Sequence, residues 1–298
     1  MCLMRNKAVY RGKIYYFEEY DMIKKMLKKL IPLRIRKSRI FNFFPRVLNA
    51  TNYYNAKYIK ILKWGLMSRE DTNYTYDLSD INIGYLASTI SVVTKQPFNK
   101  IYGYIEEIKN DIELKNCVIR KINHSRFRNV ADSRCEFGRR LGWYAFVRAI
   151  KPKIVIETGI DKGLGSVLLC AALLRNKKEG YDGRYYGTDI NPNAGYLLDE
   201  KYKDVGKILY GDSIESLTNL NVKIDLFIND SDHSAAYEYK EYVVIKNKLG
   251  SDAIILGDNS HCTDKLYQFS IENNRKFLFF HEVPKNHWYP GAGIGISF

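Results

Sequence analysis

Apolar positions along this chain repeat with two different periods, and the period changes from one region to the next. Over 22–31, Met22, Ile23, Met26, Leu27, Leu30 and Ile31 share one half of a helical wheel, while Lys24, Lys25, Lys28 and Lys29 share the other. Asp21 can cap that helix and Pro32 stops it. Ahead of it, Tyr10–Phe17 suits a short extended piece, and behind it Tyr53–Trp64 suits a second basic helix. Ser68–Asp77 is polar and turn-rich. Ile83, Leu86, Ile90 and Val93 then mark a helix capped by Ser79 or Asp80 and running through Thr94. Pro97 interrupts the pattern, and Phe98–Asn110 and Ile112–Ile122 resume it. After a polar connector, Arg126–Arg134, the residues Cys135–Ile150 read as a helix ending at Lys151-Pro152-Lys153.

From Lys153 onward short strands alternate with helices to the last residue. Strands are expected at Ile154–Ile156, Arg184–Asp189, Lys207–Tyr210, Ile224–Asn229, Ala253–Gly257, Phe277–His281 and Gly293–Phe298. Helices are expected from Leu164, around Ala194–Tyr202, and at Ile214–Leu220, Ala235–Lys248 and Thr263–Asn274. The alternation predicts an α/β fold with a largely parallel sheet. It divides the chain into a basic N-terminal arm (1–69), a helical cap (70–134) and an α/β domain (135–298).

The first strand opens into Glu157-Thr-Gly-Ile-Asp-Lys-Gly-Leu-Gly, with glycines at Gly159, Gly163 and Gly165. A strand, a glycine-rich turn and a helix form the opening unit of a doubly wound nucleotide-binding sheet. Asp161 stands where a dinucleotide fingerprint needs its second glycine, which sets a carboxylate against any pyrophosphate. An acidic strand end followed by Gly-x-x-x-Gly instead resembles the first motif of class I S-adenosylmethionine (SAM) methyltransferases. The resemblance implies a Rossmann-like seven-stranded sheet, with Glu157, Gly159 and Gly163 holding a cationic cofactor beside which Asp161 is tolerable. It also implies Asp189 on the ribose hydroxyls, and Asp212 with Ser213 at the adenine. A capping role for the next helix is the plain structural alternative at any one of these acids. Glu157, Asp189, Asp212, Asp230 with Asp232, and Asp258 follow five successive strands, where open α/β sheets bind ligands.

Asp-Leu-Phe-Ile-Asn-Asp-Ser-Asp-His (Asp225–His233) and Gly257-Asp258-Asn259 resemble cation-dependent O-methyltransferases of the catechol and caffeoyl-CoA type. That resemblance covers 135–298 and implies Asp230, Asp258 and Asn259 as ligands of Mg²⁺, an ion suited to oxygen donors. It gives Asp230 a place in catalysis and beside the cofactor as well. His233 and His261 depart from that type, and the Asp-x-Asp-His form is similar to enzymes acting on sugars and secondary metabolites. Either imidazole can serve as general base, His233 first, since imidazole titrates near neutrality. A histidine bonded within a loop is the structural alternative for each. His281, His287 and Trp288 fall near the last loop, where they can line an acceptor pocket, and His124 reads as structural. The expected reaction is O-methylation of a hydroxyl in a small molecule or glycan, such as a polysaccharide, glycolipid or secondary metabolite. Two rivals stand beside it: an RNA methyltransferase gripping RNA with the basic arm, and a non-catalytic nucleotide-binding protein.

Charge changes the picture in one place. The net charge is +14, but 22–69 holds thirteen basic residues and no acidic one, whereas 70–298 is balanced. The basicity belongs to the arm and not to the predicted site. A solvated face, an anionic membrane surface and nucleic acid are the three roles open to it. The five cysteines are scattered without a Cys-x-x-Cys pair, which favours a reduced, cytoplasmic setting, at most peripheral at the inner membrane face. No apolar run approaches the ~20 residues of a membrane span, and the N-terminus lacks the apolar core of a secretory signal. A homo-oligomer stays open.

Overall fold

The central strands carry continuous apolar runs, Ile154–Ile156, Leu226–Ile228 and Ala253–Leu256, and bury both of their faces. In a computed structural model the described residues are 9–10, 13–14, 40, 43–70, 74–131 and 134–298. Two units divide the chain, Met1–Lys63 and Trp64–Phe298.

In the first unit Val9–Tyr10 pairs antiparallel with Lys13–Ile14. The rest of the extended piece expected over Tyr10–Phe17 lies outside the described residues, as does the Asp21–Pro32 helix with its four lysines. Helix α1, Phe43–Met67, contains the helix expected at Tyr53–Trp64 and begins ten residues earlier. Pro45 does not prevent that start, because the first turn of a helix needs no N–H donors from within.

The second unit holds a seven-stranded sheet. Its strands are β1 (Ile154–Thr158), β2 (Arg184–Asp189), β3 (Gly206–Tyr210), β4 (Ile224–Asn229), β5 (Leu249–Gly257), β6 (Phe277–His281) and β7 (Gly293–Ser297). Their order is β3-β2-β1-β4-β5-β7-β6. Neighbours from β3 through β5 run parallel, and β7 is antiparallel to both β5 and β6. All seven strands were legible in the sequence to within a few residues.

Successive side chains of a strand point to opposite faces, so each central strand feeds two cores. Val155, Leu226, Ile228, Ile254 and Leu256 join one, and Ile156, Phe227 and Ile255 join the other. The first core is covered by α2 (Asp80–Thr94), α3 (Phe98–Lys109), α4 (Ile112–His124), α5 (Arg140–Ile150) and α6 (Leu164–Lys178). The second is covered by α7 (Ser213–Asn219), α8 (Ala235–Ile245) and α9 (Lys265–Glu272). Burying each Leu, Ile or Phe here contributes about 1.5–3 kcal/mol. Helices α2–α4 therefore share one core with the sheet, through Ile83, Leu86, Ile90, Ile101, Ile105, Leu114 and Val118.

Two expected helices come out differently. Cys135–Ile150 is helical only from Arg140, because Gly138 turns left-handed at φ +51° and its N–H reaches the Tyr76 carbonyl, 3.0 Å. The resulting turn carries Cys135, Glu136 and Arg139 to the edge of the sheet. Ala194–Tyr202 is a series of turns followed by a 3-10 helix at Glu200–Asp204. Gly195, at φ +76°, gives its N–H to Asp161 O across 2.7 Å and so folds onto the β1 turn instead of propagating a helix.

One clamp ties the segment before α2 to the loop after β6. Ser79 N–H donates to Val283 O (2.9 Å) and Lys285 N–H to Asp77 O (2.7 Å). Asn82, buried on α2, donates to His281 O (3.0 Å) and accepts from Val283 N–H (2.9 Å). Tyr76 and Glu282 are thereby held together at the carboxyl ends of the strands.

Candidate active site

A cavity of about 870 Å³ opens over the carboxyl ends of β1, β2, β3, β4 and β5, inside the second unit. That is room for a cofactor and an acceptor together. One half is walled by Glu157, Gly159, Asp161, Asp189, Asp212 and Ser213, and the other by Tyr76, Arg139, His233, Asp258, His261 and Tyr289, with Asp230 between.

The floor of the first half is the turn after β1. Gly159 lies at φ +76°, and a Cβ there would stand 2.0 Å from the carbonyl oxygen of Asp230, so only glycine lets the ends of β1 and β4 meet. Gly163, at φ +90°, precedes α6 as its N-cap. Asp161 takes the left-handed conformation itself, at φ +45°, which a short carboxylate side chain tolerates. Its N–H donates to Asp189 Oδ2 (2.9 Å), and Asn191 N–H donates to Asp189 Oδ1 (2.8 Å). A carboxylate offers more acceptor sites than these two bonds use, so Asp189 keeps capacity for a pair of hydroxyls.

Glu157 is buried beneath this floor and accepts from Ser166 Oγ (3.0 Å) and from the Tyr185 hydroxyl. Burial pushes its carboxyl up to about 7, against the lowering effect of those two bonds. Asp212 caps α7, accepting from Glu215 N–H (2.9 Å) and from the Tyr237 hydroxyl (2.8 Å), and those bonds lower its pKa. Its capping alternative is realised while the residue still faces the cavity. Ser213 is buried and bonded to Glu241 and Tyr237, so its hydroxyl is already engaged.

The acceptor half contains residues that periodicity did not single out. Arg139 grips Asp258 with two parallel bonds, from Nε to Oδ1 and from Nη2 to Oδ2. Its Nη1 donates to Glu282 Oε1 (3.1 Å) and to the Tyr76 hydroxyl (3.3 Å), and its main-chain N–H donates to Glu282 Oε2 (3.1 Å). Arg140 Nη2 lies 3.6 Å from Asp230 Oδ2. Burial alone would raise the Asp258 carboxyl, but the charge and bonds of Arg139 outweigh it and hold Asp258 below the usual carboxylate range. Asp230 goes the other way: burial and the Asp258 charge raise it well above that range.

His233 Nδ1 bonds to Asn259 Oδ1, and His261 Nδ1 lies 3.0 Å from the Asp258 carbonyl oxygen. Both partners are acceptors, so Nδ1 carries the hydrogen in each ring, and in the neutral form Nε2 is the free acceptor. Both rings line the cavity. His287 and Trp288 do not: they pack with Trp64 and Tyr74 beside buried Glu70, and the ring from that loop which lines the cavity is Tyr289. His281 ends β6 on the surface, and exposed His124 bonds only to Arg120 O (2.7 Å) within α4.

The expected Mg²⁺ ligands are brought together but do not form a metal centre. Both oxygens of Asp258 are taken by Arg139, the Asn259 oxygen by His233, and Asp230 faces Arg140. Two guanidinium groups already supply the positive charge that a divalent ion would bring. Among the described residues no cluster of His, Cys, Asp or Glu is arranged to hold a metal ion. The residues present do not fit the ion that the motif implies.

Glu241 and Glu238 were also missed. Glu241, buried on α8, accepts from Ser231 (2.7 Å), Thr158 (3.1 Å), Ser213 and Asn229, and so joins the ends of β1 and β4 to the start of α7. Burial raises its carboxyl to about 7. Glu238 accepts from Tyr242 (2.7 Å) and Thr263. The signal was available: Glu238 and Glu241 fall on the face of α8 that carries Tyr242 and Ile245 into the core.

A family model for a methyltransferase domain matches residues 156–260, from inside β1 to just past β5. The chain is similar to solved structures at low identity. A methyltransferase from Geobacter sulfurreducens is 15% identical (67% of this chain, 96% of that one, TM-score 0.47). The S-adenosylhomocysteine-bound Podospora anserina methyltransferase PaMTH1 is 18% identical (67% and 93%, TM-score 0.45). The O-methyltransferase TomG from Streptomyces achromogenes, in complex with SAM, is 12% identical (63% and 90%, TM-score 0.44). Comparison with the curated proteins gives no match. No described helix is long and apolar enough to cross a membrane. The matched segment holds every acidic strand end of the cavity, so residues 156–260 of this chain form a methyltransferase domain.

Proposed function

We propose that the enzyme methylates a hydroxyl group of a sugar-containing acceptor, in a polysaccharide, glycolipid or secondary metabolite. The observation that supports this reading is the pair of imidazoles on the acceptor side, each held through Nδ1 so that its neutral form presents Nε2 as the proton acceptor. S-adenosylmethionine, when bound, supplies a methyl group already activated by its sulfonium. What remains for the chain is to hold the donor, orient the hydroxyl and remove its proton. Glu157 and the Gly159 turn form the floor under the donor, and Asp189 offers acceptor capacity to a ribose. His233 Nε2 takes the proton, with Asn259 fixing the tautomer, and His261 is the second candidate. The rings of Tyr76 and Tyr289, whose centroids lie 5.6 Å apart, give the acceptor side an apolar wall suited to the C–H face of a sugar. Because the ligand set does not fit a divalent ion, no step is assigned to one.

Calorimetry with SAM and S-adenosylhomocysteine tests the first part, and loss of both bindings would sink the enzyme reading. Methyl transfer from labelled SAM to nucleotide sugars and glycans, to phenols and to RNA tests the second. Transfer to the sugar class supports the proposal, and transfer confined to RNA or to phenols rejects it.

The proposal extends to helix α1, whose exposed Phe43, Val47, Tyr58, Ile59 and Leu62 lie on one arc and Arg46, Lys60 and Lys63 on the opposite one, with no acidic residue. That pattern supports attachment to an anionic membrane surface. Flotation with anionic but not zwitterionic vesicles, lost on Lys60→Gln with Lys63→Gln, is the expected result. Binding that ignores lipid charge contradicts it.

A further inference from the structure

The cation that grips Asp258 is built into the chain. Arg139 has 12% of its side chain exposed, and Asp258 has 3%. All three guanidinium nitrogens are used: Nε and Nη2 on Asp258, and Nη1 on Glu282 and Tyr76. Glu282 is fully buried and is itself held by the Tyr76 hydroxyl (2.9 Å) and Ala292 N–H (2.8 Å). Swinging Arg139 aside would therefore strand a second carboxylate out of water, not only free Asp258.

We propose that Arg139 occupies, as a permanent side chain, the place a divalent cation would hold between Asp230, Asp258 and Asn259, so that this enzyme neither binds nor needs such an ion. A bidentate guanidinium matches a carboxylate as a metal does, and it adds the directional bonds that fix the carboxylate plane. Arg139 is a positioning residue in this account. It holds Asp258, whose main-chain carbonyl in turn holds His261. The metal-binding part stands on these contacts alone; only the claim that no ion is needed rests on the methyl-transfer reading.

The test is a titration of the full-length, EDTA-treated protein with Mn²⁺, followed by electron paramagnetic resonance with and without S-adenosylhomocysteine. The wild type should show no saturable site. Arg139→Gln should gain one Mn²⁺ per chain, and Asp258→Asn placed on top of it should remove that gain. An arginine that merely braced the fold would give no such gain. Arg139→Gln combined with Glu282→Gln keeps the charges balanced if the single variant does not fold. Saturable Mn²⁺ binding by the wild type that Asp258→Asn abolishes would overturn the proposal, and so would folded variants that gain no ion. Methyl transfer should be unchanged by EDTA. If no acceptor is methylated at all, the functional reading fails while the Mn²⁺ titration still decides the role of Arg139.

Discussion

The two halves of the cavity hold their acids in opposite ways. On the donor side, Glu157 is bonded to Tyr185 and Ser166, Asp189 to two main-chain N–H groups, and Asp212 to a main-chain N–H and Tyr237. Every one of those partners is neutral. On the acceptor side Asp258 and Glu282 are paired with Arg139, and Asp230 faces Arg140. Neutral donors leave negative charge in place for a cationic ligand. Arginines cancel it, and leave the acceptor side with fixed geometry in place of ion-binding capacity.

Removing an acid should therefore have opposite consequences in the two halves. Asp258→Ala strands Arg139 in the interior and should cost about 3–5 kcal/mol of stability, measured by denaturant unfolding. A cost below about 1 kcal/mol would mean that the ion pair is not the buried anchor described. His233→Ala should leave folding and SAM binding intact while slowing methyl transfer roughly 100-fold or more. If His261→Ala alone shows that loss, the base is the other imidazole.

Glu157→Gln should do the reverse of Asp258→Ala. The Glu157 carboxyl lies near 7 in the folded chain against an ordinary 4.5. Between those values the folded chain keeps a proton that the unfolded chain has lost. Its stabilising effect is full below about pH 4.5 and is lost as pH rises through 7, a swing of about 3 kcal/mol. Above pH 7 the glutamine variant should be more stable than the wild type by about 2 kcal/mol and bind SAM at least tenfold more weakly. A cationic donor favours ionised Glu157, so wild-type SAM affinity should rise with pH and level off near 7. Tyr185→Phe removes a donor to the ionised form, which should cost about 1 kcal/mol and move that levelling point upward by a fraction of a pH unit. No movement would place Glu157 out of reach of the donor's charge.

How far the sequence could be read followed the range of the interactions. The β1 turn was legible because its requirements are local: a strand end, a left-handed glycine and a helix start lie within a dozen residues. Its awkward residue, Asp161, resolved the same way, as a carboxylate in a left-handed position whose N–H feeds Asp189. Arg139 was not legible. It was read as part of a helix starting at Cys135, and its partners are 119 and 143 positions away. The overall charge gave no hint either, since the balance of 70–298 conceals where pairs form. Glu241 lay between these cases, an acid visible on an apolar face but with partners on three other elements.

The sequence by itself determined the α/β alternation, the seven strands and the row of acids at their carboxyl ends, because strand and helix periods are properties of neighbouring residues. The motif resemblance also grouped Asp230, Asp258 and Asn259, and strands β4 and β5 do end side by side. Only the tertiary structure decided what those acids do. A carboxylate's role depends on the charge that reaches it. In this molecule two arginines at the start of α5 reach Asp230 and Asp258, while neutral donors from β2 and α6 reach Glu157.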